Sequence, residues 1–237
     1  MAKRKKTIIA GRIVKAVIYT APEPVDGQRA RAEKSRMTTV AQKAMNNKAA
    51  RARLEMIMAA NYTWRDLFVT LTYRDKDLPP TRAEAVKRLR KFIKALRAWR
   101  KKNGQTLKYL YTTEEKHGEG RLHHHLVING TGADAEMIRS LWPYGDVVDL
   151  EYIGERDYEA LAMYMTKEGV EGRPVGAQMW TPSRNIIKPV VQSSYVPNDT
   201  MLAVPVGCHI LEKEERVTTF GSYCYIKYRT PPNWGGL

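Results

Sequence analysis

Four of the five histidines in this chain fall between positions 117 and 125: His117, His123, His124 and His125. The last three open the run His-His-His-Leu-Val-Ile, whose β-rich end predicts a strand over 122–128. Side chains alternate along a strand, so His123 and His125 share one face and His124 takes the other. Two imidazoles about 7 Å apart along one face can converge on a single divalent ion. Across the predicted turn at Gly118-Glu119-Gly120, a second strand over 107–113 runs into Glu114 and Glu115. Either carboxylate could close the site, and oxygen plus two imidazoles suits Mg2+ or Mn2+ in catalysis. A set of surface histidines without an ion is the plainer alternative. A structural zinc would want a fourth strong ligand, and neither Cys208 nor Cys224 lies nearby in sequence.

The expected architecture around this strand is α+β, an antiparallel sheet covered by helices. Thr7–Tyr19 alternates about Gly11 as a hairpin does, 38–60 reads as a helix, and 67–73 reads as a strand. Thr81 with Glu84 forms a capping box that opens a helix to Lys102, with Ala85, Leu89, Phe92, Ile93 and Leu96 on one stripe. A short helix over 133–141, a strand over 146–152 and a helix over 157–168 follow. Three segments are expected: a basic N-terminal segment 1–60 (hairpin plus helix), a catalytic domain 61–190, and a C-terminal extension 191–237 of unassigned role.

Charge narrows the partner. The 237 residues carry 40 Lys plus Arg against 25 Asp plus Glu, a net of +15. Residues 1–60 account for +10 and residues 82–102 for +9, leaving −4 elsewhere. A charge so concentrated is costly to keep compact without a polyanion, which points to nucleic acid. The basic side chains Lys87, Arg88, Lys91 and Lys94 are the expected phosphate contacts, with a solvated helix face as the alternative. No apolar run reaches bilayer length, so the expectation is a soluble protein of the cytoplasm with no membrane partner. Phosphate-loop and dinucleotide-loop patterns are absent, which excludes the usual nucleotide motors and dehydrogenases.

The helix from Asp157 places Tyr164 and Lys167 three residues apart on one face. An ordinary phenol has a pKa near 10, so about one in a thousand is ionised at neutral pH. A polarised phosphate and a nearby ammonium would make it an effective nucleophile, and Lys167 is spaced to supply the latter. A packed core tyrosine is the competing reading.

In combination these residues resemble the HUH endonucleases, in particular the rolling-circle replication initiators of phages and plasmids. Phe68-Val-Thr-Leu-Thr-Tyr73 resembles the first motif, a strand that frames DNA through residues such as Thr70 and Thr72. Gly120-Arg-Leu-His-His-His-Leu-Val-Ile128 resembles the metal motif, and Tyr164-Met-Thr-Lys167 the nucleophile motif. Leu141-Trp142 with Gly145, and Trp180 to Pro189, resemble flanking segments, so the resemblance spans about 54–190. It implies a ferredoxin-like sheet and a tyrosine that cuts single-stranded DNA at an origin. It also implies a retained 5′ phosphate and host helicase and polymerase partners in a bacterial cell. Departing from the family pattern, His124 stands where a bulky apolar residue is usual, and a single motif tyrosine is present because Tyr158 faces elsewhere. Trp180 and Arg184 are candidates for base stacking and phosphate contact. A relaxase or transposase of the same chemistry, a non-catalytic nucleic-acid-binding module and a zinc hydrolase are the alternatives.

Overall fold

The computed structural model describes residues 2–22, 40–115, 121–146, 148–154, 158–167, 178–219, 221–232 and 234. The expected loop over 21–34 lies almost wholly outside them, as do His117 and the Gly118–Gly120 turn. The chain divides into two compact units. One comprises 43–186, and the other joins 1–42 to 187–237. The expected N-terminal hairpin and C-terminal extension therefore share a unit, whereas nearly all of the following helix belongs with the central region.

In the second of these units, β1 (Ala2–Ala10) and β2 (Ile13–Ala21) form the hairpin expected from the alternation about Gly11. The same sheet takes three strands from the far end of the chain, β8 (Val190–Val196), β9 (His209–Thr218) and β10 (Gly221–Arg229), in the order β8-β1-β2-β10-β9. Every pairing is antiparallel. Val14, Ile226 and Tyr228 form its small core with Ile9, Leu202 and Val204 against them. Cys208 and Cys224 are free thiols.

The contiguous unit carries the predicted α+β plan. It begins with α1 (Val40–Asn61), then β3 (Leu67–Leu71), α2 (Arg82–Lys102), β4 (Tyr109–Glu114) and β5 (His123–Ile128). It continues with α3 (Asp134–Leu141), β6 (Val148–Tyr152), α4 (Tyr158–Met165) and the two-residue β7 (Thr181–Pro182). The strand order is β6-β3-β5-β4-β7, all antiparallel. With β7 set aside, strands taken in chain order stand 4-1-3-2, which is the ferredoxin-like arrangement.

Strand alternation sorts the core onto the two faces of this sheet. Leu67, Val69 and Leu71 of β3 join Leu126 and Ile128 of β5 in packing against α2 and α3. Their neighbours Leu110 and Val127 face the other way and pack with Leu54, Ile57 and Met58 of α1 and Ala162 and Met165 of α4. Helix α2 starts where the capping box predicts, with the Glu84 amide donating to Thr81 Oγ1 at 3.2 Å. It stops in a Schellman motif: Gln105 N donates to Arg100 O, Gly104 N donates to Lys101 O, and Gly104 takes φ +68°. Arg100 and Asp134 then tie α2 to α3 through a buried ion pair of 2.6 Å. The Leu141-Trp142…Gly145 segment has a packing explanation. The Trp142 indole donates to Thr72 O at 2.7 Å, and a Cβ on Gly145 would lie 2.1 Å from that same oxygen. Among the described residues no helix is long and apolar enough to cross a membrane.

Candidate metal centre and tyrosine helix

The face of the sheet toward α1 and α4 carries Thr70 on β3, Thr112 and Glu114 on β4, and His123 and His125 on β5. Register makes them neighbours: Thr70 and Thr112 flank His125, and Glu114 stands opposite His123. One ligand atom each from Glu114, His123 and His125 lies within 4.8 Å of the others, so the three could hold a metal ion. His123 Nε2 is 3.2 Å from Glu114 Oε2, and His125 Nε2 is 3.5 Å from Glu114 Oε1. Glu115, the other carboxylate considered from sequence, is exposed and outside this group.

The outer ring nitrogens fix which atoms face inward. His123 Nδ1 lies 2.9 Å from the Arg121 carbonyl, which can only accept, so that nitrogen carries the proton. His125 Nδ1 lies 3.1 Å from Thr70 Oγ1. Both Nε2 atoms are thereby turned toward Glu114, the arrangement that holds metal-ligating histidines elsewhere. Burial alone would raise the Glu114 carboxyl pKa. Hydrogen bonds from His123 and His125, the charge of His125 and the Lys167 bond outweigh it and hold Glu114 well below the usual carboxylate range. The Glu114 hydrogen bond raises His123 in turn, against its burial.

Donor chemistry and unmet bonding capacity both fit an ion. Glu114 Oε1, His125 Nε2 and Thr112 Oγ1 are buried atoms with no hydrogen-bond partner. Buried polar atoms are seldom left so, and three on one face of one sheet mark a place for something charged. Carboxylate and imidazole donors accept Mg2+, Mn2+ or Zn2+, so the set does not select among them.

Tyr164 stands beside this cluster. Its ring centroid is 4.9 Å from that of His125 and 5.8 Å from that of Phe68, and 44% of the residue remains exposed. Phe68 in turn stacks on His125 at 5.3 Å with 17° between planes, so one aromatic platform braces both. Lys167 Nζ sits 3.9 Å from the Tyr164 ring centroid and 3.1 Å from Glu114 Oε2. Burial would lower the Lys167 pKa, but its bonds to Glu114 and Tyr164 raise it overall. The short helix carrying these residues is fastened at both ends: the Tyr158 hydroxyl donates to Tyr62 O, and Arg51 Nε donates to Thr166 Oγ1 at 3.2 Å. Sequence reasoning missed Thr112, Arg51 and Thr166; only alternation from Glu114 could have flagged Thr112.

His124 has a separate fate. It is fully buried on the opposite face, with Nε2 at 2.7 Å from the Tyr73 hydroxyl and Nδ1 at 2.9 Å from Thr113 Oγ1. Burial first, then the charges of His123, Arg82 and His125, push its pKa down to about 3. It is a neutral core residue where a bulky apolar one would otherwise pack.

The remaining candidates are more scattered. Thr72 lies one residue past β3, and its carbonyl accepts from Trp142. Lys87, Arg88, Lys91 and Lys94 lie on α2, which covers the face opposite the cluster. Lys87, Lys91 and Lys94 are exposed, whereas Arg88 is turned over the Tyr144 ring at 4.9 Å. Trp180 is half-buried against the α1–α4 core, and Arg184 is exposed beyond β7. The fifth histidine, His209, is on β9 in the other unit.

No curated protein and no solved structure matches the chain. Residues 66–169 match the family of replication-associated protein ORF2. That segment contains β3 through Tyr164 and Lys167, and so all three residues of the Glu–His–His cluster. The match supports a role in initiating replication and carries DNA binding with it. Over residues 66–169 the chain is therefore a rolling-circle initiator-like protein of the replication-associated ORF2 family.

Proposed function

We propose that the protein nicks and rejoins single-stranded DNA at a replication origin through a 5′-phosphotyrosine, and so starts rolling-circle replication in a bacterial host. The observation that carries this reading is the placing of Tyr164 and Lys167 against the Glu114–His123–His125 cluster. Glu114, His123 and His125 would hold Mg2+ or Mn2+, and Glu114 rather than Glu115 is the carboxylate ligand. When bound, such an ion supplies positive charge against the scissile phosphate.

The remaining chemistry belongs to the chain. The Tyr164 oxygen gives up its proton and attacks phosphorus; the new O–P bond replaces the bond to the 3′ oxygen, which leaves as a free hydroxyl. Lys167 adds charge beside the ring and must release Glu114 as the ligand set fills. Phe68 holds the His125 and Tyr164 rings in place, and Thr70 orients His125. Because the phosphotyrosine keeps the energy of the broken diester, attack by a 3′ hydroxyl reverses the step without ATP. Thr72, Trp180 and Arg184 are proposed contacts to the DNA strand.

The test is a denaturing gel with single-stranded origin DNA and Mn2+. Wild-type protein should form a covalent adduct with DNA labelled 3′ of the nick and none with label 5′ of it. Tyr164→Phe should cut at least about 10^3-fold more slowly while still binding DNA. An adduct of undiminished yield from Tyr164→Phe, or from wild type in EDTA, would overturn the reading.

A further inference from the structure

The face of the central sheet away from the cluster holds a feature with no part in the chemistry above. Between α2 and the β4–β7 edge lies a groove of about 720 Å3. This is within the range of ligand sites, roughly 300–1,000 Å3. Arg90, Lys94, Arg97 and Lys101 recur on α2 at a helical spacing that keeps them on one stripe, and Arg184 lies beyond β7. The stripe runs for about 16 Å along the helix. No carboxylate is among the lining residues, and none of these five cations has an ion-pair partner among the described residues. Like charges at such spacing repel, so the helix carries them at a cost that a polyanion would relieve.

The floor is aromatic. Tyr109 and Tyr111 stack with centroids 6.2 Å apart and 23° between planes. Tyr111 is buried, whereas Tyr109 is half-buried with the Arg97 guanidinium over its ring at 5.7 Å. A guanidinium on a tyrosine face is a flat platform that an unpaired base can extend, and a paired base inside a duplex cannot.

We infer that this groove is a second DNA-binding site, which holds the backbone of a single strand through Arg90, Lys94, Arg97, Lys101 and Arg184 while a base stacks at Arg97–Tyr109. The inference rests on the reading of the chain as a DNA-acting protein, but not on its cutting chemistry. Alternation along β4 puts Tyr109 and Tyr111 on the face opposite Leu110, Thr112 and Glu114. The strand held here is therefore a different stretch of DNA from the one at Tyr164, and the groove tethers the strand while its cut end reacts.

The test uses the full chain with Tyr164→Phe, in EDTA, so that binding is read apart from cleavage. Anisotropy of fluorescein-labelled (dT)20 is followed from 50 to 200 mM salt. Adding Arg90→Gln, Arg97→Gln, Lys101→Gln and Arg184→Gln should weaken binding at least about 30-fold at low salt. It should also flatten the salt slope by roughly 0.7 for each phosphate that is no longer neutralised. The corresponding three Arg→Lys changes should restore the slope, which a misfolded variant could not do. Tyr109→Ala should weaken binding about fivefold and leave the slope alone. Wild-type affinity and slope in the Gln variant would overturn the inference. So would tighter binding of a duplex of the same length, or equal competition by polyglutamate. A protein that never forms the phosphotyrosine can still pass this test, and one that forms it can still fail.

Discussion

Two faces of one strand, β5, put the same residue type to opposite uses. On the α2 side, His124 is buried with each ring nitrogen matched to a hydroxyl, from Tyr73 and from Thr113. On the α4 side, His125 is as deeply buried, yet its Nε2 has no partner, and neither has Glu114 Oε1 or Thr112 Oγ1. Burial and residue identity are shared, so neither distinguishes structure from function. The completeness of the hydrogen bonding does. A satisfied buried histidine is part of the fold, and a face of unsatisfied ones awaits a ligand.

The sharpest way to break this contrast is His125→Ala. Calorimetry should lose all Mn2+ binding, and cleavage should fall at least about 10^3-fold, with urea unfolding of the metal-free protein little changed. A large loss of stability instead would make His125 a core residue like its neighbour.

His124→Ala should behave in reverse. It leaves a cavity and strands the Tyr73 and Thr113 hydroxyls, which should cost about 3 kcal/mol in urea unfolding while Mn2+ affinity stays within a few-fold. A pH series sharpens the same point. With the folded pKa of His124 near 3 and the ordinary value 6.5, the unfolded chain binds the proton more readily. The contribution is therefore whole above pH 6.5 and is lost as pH falls toward 3, amounting to about 2 kcal/mol at pH 5. His124→Gln should remove that part of the slope. Wild-type and variant curves that run parallel between pH 6.5 and 5 would show that burial does not keep this ring neutral.

The smallest effect concerns the boundary between the two roles. Thr70 touches no ion in the proposed site but holds His125 Nδ1 at 3.1 Å. Thr70→Ala should weaken Mn2+ binding about tenfold, and Thr70→Ser should bind nearly as wild type does. An unchanged affinity in Thr70→Ala would mean that Phe68 stacking alone sets the His125 ring.

Local rules made much of the contiguous unit legible. Alternation separated His123 and His125 from His124, and the Thr81–Glu84 pair located the start of α2 to the residue. The expected α+β sheet covered by helices is present, with β3, β4, β5 and β6 near their predicted bounds. The choice between Glu114 and Glu115 was not legible, because it depends on where β4 ends relative to β5, a matter of register. Nor was the side of the sheet that α2 would cover. Its charge suggested a surface near the chemistry, and its apolar stripe packs on the other face. The strands after Val190 gave alternation too weak to pair, since their partners lie at the far end of the chain.

That distant pairing bears on how the chain is made. Strand β2 ends at Ala21 and its neighbour β10 begins at Gly221, with the whole of 43–186 emerging between them. At bacterial or eukaryotic synthesis rates the hairpin waits roughly 10–40 s with both outer strands unpaired. The contiguous unit can fold during that interval, whereas the split one completes only after β8, β9 and β10 have appeared. Open edges invite pairing with other chains, and β1 meets this hazard with Lys3, Arg4, Lys5 and Lys6 in sequence. The basic start of the chain thus has a use that precedes any DNA: four adjacent positive charges keep nascent hairpins apart until their own partner strands arrive.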